Sequence, residues 1–189
     1  VVYREDPKLC FADDGMMKAI DEAKKAGKIR YIGFTGHKVP WLFQEMLDTG
    51  YPWDTMQMPV NPFDPHYRSF IKEILPAAQE KQIGVLAMKT MGAGRLLRSE
   101  VLSADDALRY AWSLPVATVV SGMNSMEHLK QNIESARRFK PMSRAEQDEL
   151  VQRTAAVAGA GEGRWEVYKS TTRFDGPVGR SIHGGPPEI

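Results

Sequence analysis

Four short apolar segments recur along the chain at nearly even spacing, and no other feature limits the fold as strongly. They cover residues 29–34, 55–58, 83–88 and 117–120, each rich in β-branched or apolar residues and bounded by turn formers. Their starts lie roughly 30 residues apart, the length of one strand-plus-helix unit in an eight-unit barrel. Helical patterns fill the intervals, and strands that alternate with helices run parallel through helical crossovers. The expected fold class is therefore α/β, a partial (β/α)8 barrel of about four βα units. An open doubly wound sheet is the alternative, although no G-x-G-x-x-G follows the first segment.

The intervals carry their own punctuation. Residues 13–26 set Met16, Ile20 and Ala23 on one face, and Gly27 ends the run. Residues 40–47 give a shorter, weaker helical pattern, and residues 67–81 are interrupted by Pro76, which kinks or restarts a helix. Ser103 with Asp106 reads as a capping box. Ser125 caps a helix whose Met126, Leu129, Ile133 and Ala136 share a face, and Ser143 with Glu146 opens a last helix near 144–157. Residues 159–189 hold many glycines and prolines without periodicity, an irregular tail expected to drape over the barrel mouth. Two parts are thus expected: 1–140 as barrel, 141–189 as C-terminal helix and tail extension. Val1, Val2 and Tyr3 read as the end of a strand, so the chain is expected to be a piece of a longer or processed one.

Charge and composition exclude several partners. The 25 Lys and Arg nearly cancel 24 Asp and Glu, leaving +1, which argues against nucleic acid or an anionic membrane surface. No apolar run approaches the ~18 residues of a membrane span. Hydrophobic residues at 42% suffice for one core. The single cysteine, Cys10, cannot form an internal disulfide and fits a reducing, cytoplasmic setting. His66, His128 and His183 show no metal-ligand spacing, so no metal site is expected. Neither a nucleophile elbow nor a P-loop occurs.

Four segments carry a family resemblance. Residues 27–37 read GKIRYIGFTGH, 54–61 read DTMQMPVN, 84–94 read GVLAMKTMGAG, and 119–123 read VVSGM with Asn132 following. In that order and spacing they resemble strands 5–8 of the aldo-keto reductases, over about residues 1–140. The tail around Tyr168–Asp175 resembles a C-terminal extension of some members. The resemblance implies a TIM barrel and reduction of small-molecule carbonyls, aldehydes or ketones, by hydride from NADP(H) or NAD(H). It places the family's catalytic Asp, Tyr, Lys and His on earlier strands. Tyr31, Tyr67, Lys89 and His37 match none of them, so no catalytic residue is assigned here. The chain then carries most of the cofactor-binding half and is expected to be inactive alone. The alternative is a non-catalytic half-barrel that binds nucleotide or self-associates through exposed barrel edges.

The resemblance also implies cofactor-binding positions. Thr35 and Gly36 stand where a Ser-Asn pair holds the nicotinamide carboxamide, and Gln57 meets the same group. Gln57 has a reason of its own to be noticed, since an amide in an apolar strand requires a partner. Asn61 reads as a turn former. Met88 occupies the place of a ring-stacking aromatic. Lys89 follows at a strand end, facing pyrophosphate, and the glycine-rich turn from Gly92 brings backbone amides near. Gly122 and Asn124 precede a capped helix N-terminus suited to phosphate. His128 and Gly122 replace the family's cations for a 2′-phosphate, and Asn132 matches an adenine-side Asn.

Overall fold

The structure, a computed structural model, describes residues 5–158 and Lys169. Its strands are β1 (Gly33–Thr35), β2 (Thr55–Pro59), β3 (Gly84–Met88) and β4 (Thr118–Val119). They form one parallel sheet in sequential order, β1-β2-β3-β4. Ahead of β1 lie α1 (Asp6–Cys10) and α2 (Met16–Lys25). Between β1 and β2 runs α3 (Pro40–Asp48), and between β2 and β3 run α4 (Phe70–Glu73) and α5 (Leu75–Glu80). α6 (Ala104–Trp112) precedes β4; α7 (Met126–Arg137) and α8 (Arg144–Ala158) follow it. A doubly wound sheet needs a point where strand order reverses. Sequential order without such a point selects the barrel-type arrangement.

Side chains alternate across each strand, and the two faces differ in kind. Phe34, Met56, Met58, Val85 and Ala87 are buried against Phe43, Met46, Leu47, Phe70, Ile74, Leu75 and Ala111 of the helices. The other face aligns Gly33 with Thr55 and Gly84, then Thr35 with Gln57, Leu86 and Thr118. Gly33 is required there, because a Cβ would overlap the Thr55 carbonyl and hydroxyl. A second core joins Phe63, Leu96, Leu102, Tyr110, Met142, Leu150 and Ala158, seating α6 and α8 beyond the strand ends.

Several expectations shift. The first strand begins at Gly33 rather than residue 29. Its partner begins at Thr55, and upstream the Asp54 carboxylate takes the Ile32 N–H at 2.7 Å, which closes the ladder. In α2 the core-facing residue is Met17, whereas Met16 is 58% exposed. Lys24 and Asp21, on the same side as Met17 and Ile20, bond Asp54 and the Tyr51 hydroxyl at 3.3 and 2.8 Å. These anchors fix the helix rotation. The helix read as weak, α3, buries five residues. Pro76 restarts the chain as α5, in its first turn where a missing N–H costs nothing. In α7 the apolar face is not the packed one: Met126 is 66% and Ile133 42% exposed, and Ser135 is buried instead. The capping boxes at Ser103 and Ser143 both form. The strand end read at residues 1–3 and the tail around 168–175, Lys169 apart, lie outside the described residues.

Candidate functional site

The strands end at Thr35, Pro59, Met88 and Val119, and in a barrel of this kind the chemistry sits at that end. A cavity of about 540 Å³ opens there. Gln57 and Met88 line it from β2 and β3, Lys89 from just past β3; Gly122 and Asn124 from the turn after β4; His128 and Asn132 from α7. Seven of the ten residues expected to bind cofactor therefore share one hollow. The polar side of α7 that holds His128 and Asn132 is the side turned toward the cavity, which explains why its apolar stripe points elsewhere.

Local bonding prepares several of these groups. Ser125 caps α7 by accepting the His128 N–H at 3.2 Å. Asn132 donates its side-chain amide to the Ser121 hydroxyl at 3.1 Å, tying helix to turn. No atom of the described residues lies within 4 Å of where a Cβ on Gly122 would stand. Lys89 lies in the left-handed region at φ +56°, as does Ala93 at +58°. For residues other than glycine such backbone is strained and persists only where its surroundings hold it.

Three expected residues lie aside. The Thr35 hydroxyl and the Gly36 N–H both turn to the Gln57 carbonyl, at 3.1 and 3.3 Å. Thr35 instead lines a second hollow of about 410 Å³ with Cys10, Met17 and Trp53, and shares Gln57 between the two. Gly92 is buried at φ +54°, and a Cβ there would strike Leu96. Its N–H donates to Lys89 O at 2.9 Å and the Gly94 N–H to Met91 O, so these two amides serve the loop itself. Ala93 and Gly94 are the turn's contribution to the cavity wall.

Other residues escape a reading of the sequence. Leu97, Ala104 and Gln131 also line the wall, with no motif to reveal them, while Thr90, Met91 and Val120 lie within the quoted segments. Asn61, read as a turn former, is one: its Oδ1 accepts the N–H groups of Phe63 and Asp64, both at 2.9 Å. Its Nδ2 also donates to Lys89 O at 3.1 Å. Asp64 is fully buried and accepts from Ser69 Oγ, Phe70 N, Ile71 N and Lys169 Nζ. His66 meets Thr154 of α8 at 3.0 Å, and burial pushes its pKa below the usual 6.5. Among the described residues no group of three or more His, Cys, Asp or Glu is placed to hold a metal. None of the described helices is long and apolar enough to cross a membrane.

The model of the aldo/keto reductase family matches residues 2–106. Among solved structures, the holo form of the aldo-keto reductase AKR11C1 from Bacillus halodurans is 21% identical with a TM-score of 0.60. The match covers 75% of this chain and 56% of that one. Its apo form gives 22% identity, a TM-score of 0.59, and coverage of 75% and 58%. The thermostable aldo-keto reductase Tm1743, in complex with epalrestat, is 18% identical at a TM-score of 0.50, covering 72% and 53%. The chain thus spans just over half the length of these structures. No curated protein matches the sequence.

Proposed function

The chain belongs to the aldo/keto reductase family, and from that premise we propose that it holds a nicotinamide dinucleotide, NADPH or NADH, for hydride transfer to a small aldehyde or ketone. The observation that carries the reading is the 540 Å³ hollow at the strand ends, with one wall of strand residues and the other of a helix N-terminus. The bound cofactor would supply the hydride. Gln57 presents an amide, able to donate and accept, to a carboxamide. Met88 offers a polarisable thioether to a ring face. Lys89 brings a cation toward pyrophosphate, and the N-terminus of α7 attracts a further phosphate. Asn132, already oriented by Ser121, faces the adenine side.

Residues 1–140 make up the nucleotide-holding part in this reading, and 141–189 a C-terminal helix and tail extension. The proton donor belongs to strands that the family places ahead of β1. The lone cysteine fits a cytoplasmic setting. Titration of the 189-residue chain with NADPH and NADH, followed by nucleotide fluorescence, tests the site; saturable binding is expected. Addition of an aldehyde should leave the absorbance of bound NADPH unchanged. Absence of saturable binding by either nucleotide overturns the proposal.

The sheet's edges favour a second reading, self-association. Tyr31 beside β1 is 70% exposed, and Val120, Met123 and Met126 leave an apolar strip beyond β4. A partner, or further chain, covers such edges in a closed sheet.

A further inference from the structure

We propose that Asn61, Asp64 and Lys169 form a buried brace that sets the backbone of Lys89, and so the shape of the nucleotide cavity, from the C-terminal segment. The brace is a continuous chain of contacts. Lys169 Nζ lies 2.6 Å from Asp64 Oδ1 and donates to Tyr67 O at 2.8 Å; both charged side chains are fully buried. Arg68 Nη1 reaches Lys169 O at 3.1 Å, fixing the same residue by its backbone. The Asp64 N–H donates to Asn61 Oδ1, and Asn61 Nδ2 donates to Lys89 O. Lys89 O also accepts the Gly92 N–H, so one carbonyl receives both the brace and the turn that walls the cavity.

Two physical facts make this more than packing. Lys89 holds a left-handed backbone that a lysine does not choose, so something must compel it. The carbonyl of Lys89 is where Asn61 bonds it, and Asn61 is itself fully buried with both ends of its amide engaged. Removing either partner of this buried ion pair would leave the other charge uncompensated, so the two hold each other in place as a fixed reference point. Asn61 and Lys169 are positioning residues. Neither lines the cavity, and each acts through Lys89.

The effect on cofactor rests on the function proposed above; the effect on the loop does not. Asn61→Asp keeps an acceptor for the Phe63 and Asp64 N–H groups but removes the donor to Lys89 O. Amide exchange of the nucleotide-free chain should then rise about tenfold at Gly92, the scale of one lost hydrogen bond, while Phe70 and Ile71 stay protected. Lys169→Met should release both regions. Adding Lys89→Gly to Asn61→Asp should restore protection at Gly92, because glycine takes left-handed backbone without strain. That double variant also serves where Asn61→Asp alone fails to fold. NADPH affinity should fall about tenfold in Asn61→Asp, by the same loss. Unchanged exchange at Gly92 in both Asn61→Asp and Lys169→Met, or no restoration by Lys89→Gly, overturns the brace. Exchange that responds in a chain that binds no NADPH upholds the brace and defeats the cofactor reading instead.

Discussion

Gln57 shows what a single residue can disclose through its immediate neighbours in the chain. It is a polar residue between Met56 and Met58, both fully buried, and its own side chain turns to the opposite face and the cavity. A leucine there should leave the melting temperature unchanged or higher. It should weaken NADPH about tenfold, the worth of one neutral hydrogen bond. Thermal scans beside nucleotide titration check both halves. Lys169 could not be read this way, since a lysine in an aperiodic tail gives no sign of burial and its partner Asp64 lies 105 residues away. His66 gives a pH dependence with a definite sign. Its folded pKa lies below the unfolded 6.5, chiefly through burial. Between these two values the unfolded chain binds more protons, so stability is full above 6.5 and falls as pH drops toward the folded value. Denaturant midpoints measured from pH 7.5 to 5 should decline, and His66→Gln should flatten that decline.

At the scale of elements, what local chemistry dictates was legible and what partners dictate was not. The caps at Ser103, Ser125 and Ser143 are decided within four residues, and all three form. The start of β1 is decided by Thr55 and Asp54, more than 20 residues on, and sequence pattern sets it four residues early. The packed face of α7 eludes sequence for a related reason: its apolar stripe is real, but Ser121 and the cavity hold the polar side inward. Because α7 presents its N-terminus to the cavity, its cap and its neighbour Gly122 should act differently. Ser125→Ala should destabilise by about 1 kcal/mol through loss of the cap. Gly122→Arg should fit, since among the described residues nothing lies within 4 Å of its Cβ position. It should favour NADPH over NADH, because a guanidinium recognises an added phosphate. The ratio of the two dissociation constants reads the change, and an unaltered ratio places the 2′-phosphate elsewhere.

Among the described residues, one face of the sheet is buried and the other is lined with Gly33, Thr55, Gln57 and Leu86 around open hollows. Parallel strands are stable when both faces and both edges are covered, as in a closed barrel. Here the helix side carries the core among the described residues, with Met56, Met58 and Ala87 fully buried. The exposed large apolar side chains among the described residues include Met16 and Tyr31 ahead of β1 and Met126 and Ile133 on α7 after β4. Such patches drive association when nothing else covers them. The 189-residue chain should therefore sediment as more than a monomer at micromolar concentration, and the associated fraction should grow with added sulfate, which strengthens apolar burial. Met126→Gln together with Ile133→Lys makes the exposed stripe of α7 polar, adds no negative charge at its N-terminus and leaves the cavity wall untouched. That pair should shift the chain toward monomer while NADPH affinity stays as it was. A wild-type chain that sediments as a monomer across the concentration range would show instead that the edges tolerate water, and the self-association reading would fall while the nucleotide site stands.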